Sequence, residues 1–319
     1  MQLTSKRIEV ADALECIEHF YRENMTDGLP VVPPTEERVG AMLAAVKLEP
    51  AHQITFIENR QVSVTAEKVA INAVLAGCKP EYMPVIVAAV EALGDPLYGY
   101  HGPATSTGGS GVLMIVNGPI ARELDINCGD NLFGPGWRAN ATIGRAVRLA
   151  LVNIGGAIPT LGDMSTFGAP SKFSYVVAEN EAGNPWEPLH VERGFPKEAS
   201  TVTVVGAECP HNINDHESLS GEGILTTIAG TMATTGNNDI YYSAQPVVVM
   251  GPEHAKTVAN DGFSKKEAKR FLQEHATLPL GKFSKENIER RFRVTFKERY
   301  AKAGLDAPVY AVQNADDII

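Results

Sequence analysis

Cysteine is scarce in this chain of 319 residues, and long hydrophobic runs are missing from it. The cysteines stand far apart, without a Cys-x-x-Cys pair, at Cys16, Cys78, Cys128 and Cys209. That spacing argues against a disulfide scaffold and against a zinc knuckle. Apolar runs fall short of the roughly 18 residues that a membrane-spanning helix needs. Because the N-terminus is also polar, without the pattern of a signal peptide, we expect a cytoplasmic protein with reduced thiols and no membrane partner.

Clusters of positive charge are lacking as well. The 38 Asp and Glu residues outnumber the 28 Lys and Arg residues, which gives a formal net charge of -10. Proteins that bind nucleic acid usually present a basic face, and here basic residues occur at most in pairs. We therefore expect no nucleic-acid partner. A small anionic substrate remains compatible with the composition, because a local pocket can oppose the net charge.

Apolar runs that end in glycine and continue into a turn or a helix occur three times. They lie at 111–118, 201–207 and 245–251. Such runs, alternating with helical patterns, are typical of a sheet with at least part of it covered on both faces. We predict an α/β fold with a mixed or mostly parallel sheet covered by helices. A standard Rossmann fold is not expected, because no Gly-x-Gly-x-x-Gly motif follows a strand.

The remaining patterns predict individual elements and the domain organisation. Apolar periodicity predicts a helix over 7–24, and residues 53–64 read as a β-hairpin. A capping box, Ser-Lys-Lys-Glu, opens a helix over 265–275. We expect residues 1–319 to form a single α/β domain. The alternative is two lobes with a break near 183–199, where proline and glycine cluster.

The stretch NLFGPGWRANATIGRAVRLALVNIGGA, residues 131–157, raises an electrostatic question. Arg138 stands at the start of a predicted helix, where the helix dipole is already positive, so it needs a negative partner. Backbone N–H groups of the first turn and a guanidinium together form a natural anion site. We predict that Arg138, Asn140 and Arg145 bind an anionic substrate. The alternative is that Asn140 caps the helix and the arginines pair with carboxylates of a neighbouring segment.

The segment YGYHGPATSTGGSG, residues 98–111, is rich in small hydroxyl side chains and glycine. It precedes a strand rather than a helix, so it is not a P-loop. Hydroxyl donors on a flexible loop can close over a substrate. We therefore include Thr105, Ser106, Thr107 and His101 among the substrate-binding candidates. The alternative is a mobile surface loop, in which a lone histidine is structural.

The segment GAECPHNINDHES, residues 206–218, follows a predicted strand directly, where α/β proteins place ligand groups. Cys209 and His211 form a Cys-x-His pair that could supply a thiolate and a base. His211, Asp215 and His216 could bind a divalent metal together with a carboxylate from elsewhere. The alternative is a polar loop with an Asx turn at Asp215.

Two further side chains are candidates for proton transfer or nucleophilic attack. Glu179 and Glu181 lie two positions apart at a strand end and share a face if the strand continues. Paired carboxylates can divide acid and base roles, or they can serve as internal partners of the arginines. Cys128 precedes a predicted helix start that carries an arginine, and this setting favours a thiolate. The predicted catalytic candidates are Glu179, His211 and Cys128.

Five segments together resemble a poorly characterised bacterial family related to, or encoded beside, UGSC-like (seleno)proteins. The similarity extends from about residue 26 to 275 and is carried by TDGLPVVPPTEERV, AVLAGCKPEYMPVIVAAVEAL, GPGWRANATIGRA, NPWEPLHVERGF and GPEHAKTVANDGFSKKEAKRFL. The Sec/Cys-Gly-Ser-Cys motif of the name is absent, because no cysteine here is followed by Gly-Ser-Cys. A thiol or selenol redox role implied by the resemblance would therefore need a separate small subunit that carries that group.

These observations favour an enzyme of hydrolase or lyase type that acts on a small anionic metabolite, as the large subunit of a hetero-oligomer. An NAD-dependent oxidoreductase is disfavoured, because the sequence has neither a nicotinamide nor a flavin signature. A divalent metal is an optional cofactor. Two alternatives stay open: a non-catalytic binding or structural subunit of a thiol or selenol redox enzyme, and a metal-dependent hydrolase.

Overall fold

A computed structural model describes residues 2–242 and 244–319, and the chain divides into two compact units. Unit 1 contains the residues up to Asn180 together with Pro188–Pro210, and unit 2 contains Glu181–Glu187 and His211–Ile319. The chain passes between the units at three points. One of them, between residues 187 and 188, lies within 183–199, where the sequence suggested a break.

Unit 1 alternates helices and strands. In chain order its elements are α1 (Ala13–Arg22), α2 (Glu36–Val46), β1 (Gln53–Ile57), β2 (Val62–Thr65), α3 (Ala66–Ala76), α4 (Met83–Leu93), α5 (His101–Thr105), β3 (Gly111–Asn117), α6 (Pro119–Glu123), α7 (Arg138–Asn153), β4 (Val176–Ala178), α8 (Leu189–Glu192) and β5 (Thr201–Ala207). β1 and β2 form the predicted antiparallel hairpin.

The central sheet of unit 1 has the strand order β4-β3-β5. β3 and β4 run parallel, with Met114 beside Val176, whereas β3 and β5 run antiparallel, with Met114 beside Val204. Helix α7 contacts β3 and β4, and α4 contacts β5. The predicted α/β fold with a mixed sheet is therefore confirmed.

Helices α3 and α7 pack against each other in the core of unit 1. The Thr65 hydroxyl accepts from the Lys68 N–H at the start of α3, and Gly77 ends the helix with a φ of 87°. Glycine tolerates this left-handed conformation at a helix end. Most side chains of α3 are buried, including Val69 and Leu75, as expected for a helix that is apolar around most of its circumference.

Gly144 allows α7 to lie close to the segment before β4. A Cβ atom at position 144 would lie 2.2 Å from Ser174 Oγ and 2.8 Å from the backbone nitrogen of Tyr175. Real Cβ atoms essentially never approach other atoms this closely. The missing side chain therefore sets the distance between the helix and the backbone at Ser174 and Tyr175.

Two sequence expectations differ from the structure. The helix predicted over 7–24 begins only at Ala13, because Asp12 accepts a hydrogen bond from the Glu15 N–H and caps it there. The apolar run at 245–251 is not a strand. Its Val248 N–H donates to the Ile319 carbonyl, while Pro246 has no N–H to donate to a ladder.

Unit 2 contains α9 (Gly221–Met232), α10 (Asn238–Tyr242), α11 (Pro252–Asn260), α12 (Lys265–His275), β6 (Thr277–Pro279), α13 (Lys285–Asn287), α14 (Arg293–Thr295), α15 (Lys297–Tyr300) and β7 (Pro308–Tyr310). The capping box of Ser264 and Glu267 opens α12 as predicted. Over residues 2–242 and 244–319, no helix is both long and apolar enough to cross a membrane.

The close approach of α7 can be tested by comparing two glycine substitutions in unit 1. We expect Gly144→Ala to lower the free energy of unfolding by roughly 1–3 kcal/mol, because the new methyl group is forced into Ser174 and Tyr175. Gly40→Ala in the middle of α2 is the control, since a Cβ atom there would have, apart from its chain neighbours and its own helix backbone, no atom of the described residues within 4 Å. It should stabilise by roughly 0.5–1 kcal/mol. Chemical denaturation followed by circular dichroism measures both, and equal effects would refute the explanation.

Candidate functional site

Arg138 lies at the start of α7, with its guanidinium against the end of α3. Its Nε and Nη2 donate to the carbonyl oxygen of Gly77 at 3.2 and 2.9 Å. Carbonyls at a helix C-terminus lack intrahelical partners and carry partial negative charge. The negative partner that Arg138 needs is thus supplied by the C-terminus of α3. Arg138 thus has a partner within the protein, and anion binding at this residue stays a prediction.

Asn140 is buried and joins two segments of backbone to α7. Its Oδ1 accepts from the Asn127 N–H at 2.8 Å, and its Nδ2 donates to the carbonyls of Asn127 and Val176 at 3.3 and 2.9 Å. The N-cap residue of α7 is Trp137, whose side chain makes no capping hydrogen bond. Asn140 therefore neither binds an anion nor caps the helix, because its amide serves the backbone beside β4.

Arg145 forms a bidentate ion pair with Asp27. Both nitrogen–oxygen distances are 2.8 Å, and Nη2 also donates to the carbonyls of Leu29 and Pro30. The Arg145 side chain is 14% exposed and that of Asp27 is 4% exposed. Here the structure shows the alternative to substrate binding, an internal ion pair, which ties the turn at Asp27 to α7.

Arg148, three residues after Arg145 on α7, belongs to a different cluster. Its Nη2 lies 3.1 Å from Asp163 Oδ2, and Lys172 Nζ lies 2.8 Å from each carboxylate oxygen of Asp163. The side chains of Arg148, Lys172 and Asp163 are 15%, 11% and 6% exposed. Two cations thus share one carboxylate, which leaves one positive charge without an acidic partner in the cluster.

The Asp163 carboxylate is held in its charged form by this cluster. Burial raises the pKa of Asp163, but hydrogen bonds from Lys172 and from the Ser165 hydroxyl and N–H lower it more, so the pKa lies below its ordinary value. The Ser165 hydroxyl oxygen lies 2.8 Å from Asp163 Oδ1. The carboxylate in turn fixes the positions of Lys172 and Arg148, because each donates to it.

These charges line a narrow cavity of about 30 Å³ in unit 1, which we call the cationic pocket. Its polar lining residues are Tyr98, Tyr100, Ser110, Arg148, Asp163, Ser171, Lys172, Ser174 and Tyr175. The hydroxyl of the lining residue Ser110 is buried and has no hydrogen-bond partner among the residues that the structure describes. A single water needs about 10–15 Å³ measured in this way. The pocket therefore has room for about the volume of a carboxylate group.

A third cation lies near the pocket. A Cβ atom on Gly156 would lie 3.6 Å from the guanidinium carbon of Arg60, so this side chain contacts the turn that leads to Asp163. Burial raises the pKa of Tyr100, and the positive charges of Arg60 and Arg148 oppose that rise. The local potential is therefore positive in a chain whose net charge is negative.

The segment 98–111 contributes to the pocket with other residues than the predicted ones. Tyr98, Tyr100 and Ser110 line it, whereas the hydroxyl groups of Thr105 and Ser106 hydrogen-bond within the segment, to the His101 carbonyl and the Gly108 N–H.

The Thr107 carbonyl accepts from the Thr166 N–H, which ties the segment to the loop after Asp163. His101 borders a neighbouring cavity. The composition of the segment indicated a ligand loop without indicating which side chains face inward.

Glu179 and Cys128 lie on adjacent segments of unit 1, since the Asn127 carbonyl accepts from the Ala178 N–H. Glu179 Oε2 accepts from Asn117 Nδ2 and, at 2.8 Å, from the Leu189 N–H that starts α8. Cys128 packs against the hydrophobic core. Neither side chain lines the cationic pocket, and a catalytic role for Glu179 or Cys128 stays a prediction.

The predicted metal ligands belong to unit 2. His211 and His216 are exposed, while Asp215 Oδ1 accepts from the Ser218 N–H at 2.9 Å. Hydrogen bonds from Thr227 and Ser218 lower the pKa of Asp215 to about 2. Within the described part of the chain, no three His, Cys, Asp or Glu side chains are arranged to hold a metal ion. The expected site at His211, Asp215 and His216 is therefore not formed, and the alternative of a polar loop agrees with the geometry.

No sequence pattern indicated Lys172, Asp163 or Arg60. Ser110 and Arg148 had a signal, because they lie in the hydroxyl-rich segment 98–111 and in the arginine-containing helix. Comparisons with protein-family models, with curated proteins and with solved structures found no match to this chain. The resemblance to UGSC-like relatives stays a prediction, and the candidate site rests on its geometry.

The charged state of Asp163 predicts a specific dependence of stability on pH. Because its folded-state pKa lies below the ordinary value of 3.8, the carboxylate contributes stability above that pH and loses it as pH falls through the folded-state pKa. Asp163→Asn should destabilise by about 3 kcal/mol near neutral pH, since it leaves two cations unpaired in a buried cluster. The difference between wild type and variant should shrink below about pH 4.

Urea denaturation of both proteins across this pH range measures that difference. A difference that stays constant from neutral to acid pH would show that the charge of Asp163 does not stabilise the cluster.

Proposed function

We propose that the protein binds a small anionic metabolite, whose negatively charged group occupies the cationic pocket. Arg148 and Lys172 carry two positive charges against the single charge of Asp163, and this excess is the observation on which the proposal depends. The unpartnered Ser110 hydroxyl supplies a further donor. The anion site predicted at the start of α7 is thereby relocated to Arg148, ten residues further along the same helix.

The pocket is suited to an oxyanion by charge and by shape. Hydrogen bonds from a guanidinium or an ammonium to a carboxylate or phosphate are shorter and stronger than neutral ones. Gly111 allows the start of β3 to lie close to Ser171 in the pocket wall, because a Cβ atom there would lie 2.9 Å from the Ser171 carbonyl oxygen. Asp163 holds both cations in place before a ligand arrives, so little ordering is needed on binding.

The proposal extends to catalysis of hydrolase or lyase type. In both reaction classes negative charge develops on substrate oxygen, and fixed cations in a buried site stabilise such charge. Arg148 and Lys172 would serve this role. The ion pair with Asp163 holds the Lys172 ammonium in place for this role. A small thiol- or selenol-bearing subunit and an oligomeric state stay predictions from the sequence.

Anion binding can be measured by isothermal titration calorimetry with acetate and inorganic phosphate at constant ionic strength. We expect Arg148→Ala to weaken binding at least about tenfold, since it removes a charge-assisted hydrogen bond. Arg138→Ala is the matched control on the same helix, because Arg138 donates to the Gly77 carbonyl and does not line the cationic pocket. Its affinity should equal that of the wild type.

Two outcomes would contradict the proposal: neither anion binds the wild type, or both variants lose affinity equally.

Catalysis is tested separately, by incubating the wild type with a pool of carboxylate metabolites and their esters and following depletion by mass spectrometry. Lys172→Ala should abolish any turnover, and a pool left intact by the wild type would remove the enzyme assignment.

A further inference from the structure

A second and larger cavity, of about 290 Å³, lies in unit 1 beside the cationic pocket. We call it the apolar cavity. The β1–β2 hairpin, the end of α4 and the second half of α7 form its walls, through Val64, Val90, Leu93, Val147 and Ile154. Buried apolar surface of this kind gains free energy when it encloses hydrocarbon.

The two cavities share walls. Tyr100 and Leu151 line both of them. The Tyr100 hydroxyl donates to the Gly155 carbonyl at 3.1 Å, which fixes the ring at the boundary. The missing side chain at Gly155 makes this position possible, because a Cβ atom there would lie 2.2 Å from that hydroxyl oxygen. The two cavities are therefore adjacent, with Tyr100 and Leu151 at their boundary.

Helix α7 runs along both cavities. Arg148 lines the cationic pocket, Leu151 lies one turn further on, and Ile154 lines the apolar cavity. Residues three apart on a helix share a face, and a rise of 1.5 Å per residue places Ile154 roughly 9 Å beyond Arg148 along the axis. Arg148 and Ile154 themselves lie about 120° apart around the axis, so a ligand held at Arg148 would pass Leu151, which lines both cavities, to reach Ile154.

The sizes and charges of the cavities limit the ligand. The cationic pocket has room for little more than the charged group, so the rest of a ligand must lie outside it. Glu58 and Asp95 border the apolar cavity, and their carboxylates repel a second negative charge. Building on the proposed function, we infer that the ligand is a medium-chain monocarboxylate, with its carboxylate at Arg148 and Lys172 and its hydrocarbon chain in the apolar cavity.

A homologous ligand series tests this inference by calorimetry. We expect the affinity to rise from acetate through butyrate to hexanoate, by up to about fourfold for each methylene group that enters the cavity. Hexanedioate, which has the same chain length and a second carboxylate, should bind at least about tenfold more weakly than hexanoate. Hexanamide should also bind weakly, because it lacks the negative charge.

Variants separate the two cavities. Ile154→Phe and Val90→Phe each place a larger side chain in the apolar cavity and fill part of it. Either substitution should reduce the affinity for hexanoate to the level of acetate, while the affinity for acetate stays at the wild-type value. Two variants are used because one of them could fail to fold, which a melting curve reveals. Arg148→Ala should weaken the binding of every carboxylate in the series.

The outcomes distinguish this inference from the proposed function. If acetate binds but affinity does not rise with chain length, or if hexanedioate binds as well as hexanoate, the inference is wrong and the proposed function stands. If no carboxylate of the series binds the wild type, both are wrong.

Discussion

The buried cluster of Asp163, Arg148 and Lys172 is the interaction on which the candidate site depends. It joins α7 to two irregular segments, around Asp163 and Lys172, whose own secondary structure would not hold them in place. In a poorly hydrated interior, charges interact more strongly than they do in water, and unpaired charges cost more. One carboxylate between two cations makes the cluster stable enough to form. It also leaves an excess of positive charge directed at the cavity.

Three arginines on α7 illustrate how one residue type takes different roles through its partners. Arg138 donates to the free carbonyl at the end of α3, and Arg145 neutralises Asp27. Both side chains are engaged by the protein itself and assemble unit 1. Arg148 shares its carboxylate with Lys172, so its charge is only partly compensated. Arg148 is the candidate ligand-binding residue because two cations share its carboxylate. Arg138 and Arg145 have structural roles because each has its own partner within the protein.

Local features of the fold were predictable from the sequence, and most of the site was not. The hairpin, α7 and the capping box of Ser264 depend on neighbouring residues, so periodicity and caps reveal them. The Gly77 partner of Arg138 is 61 residues away and the Asp27 partner of Arg145 is 118 residues away. Such pairings follow from tertiary packing. An arginine at a helix start needs a negative partner, and Arg138 has one, but sequence alone could not identify a helix C-terminus as that partner.

The central claim is that the excess charge at Arg148 and Lys172 receives a carboxylate. A crystal structure of the protein with bound hexanoate tests it most directly. The account predicts electron density for the carboxylate within hydrogen-bond distance of the Arg148 guanidinium, the Lys172 ammonium and the Ser110 hydroxyl, with the hydrocarbon chain beside Leu151 and Ile154. Hexanoate bound elsewhere, for example at Arg138, with the cluster around Asp163 unoccupied by ligand, would contradict it.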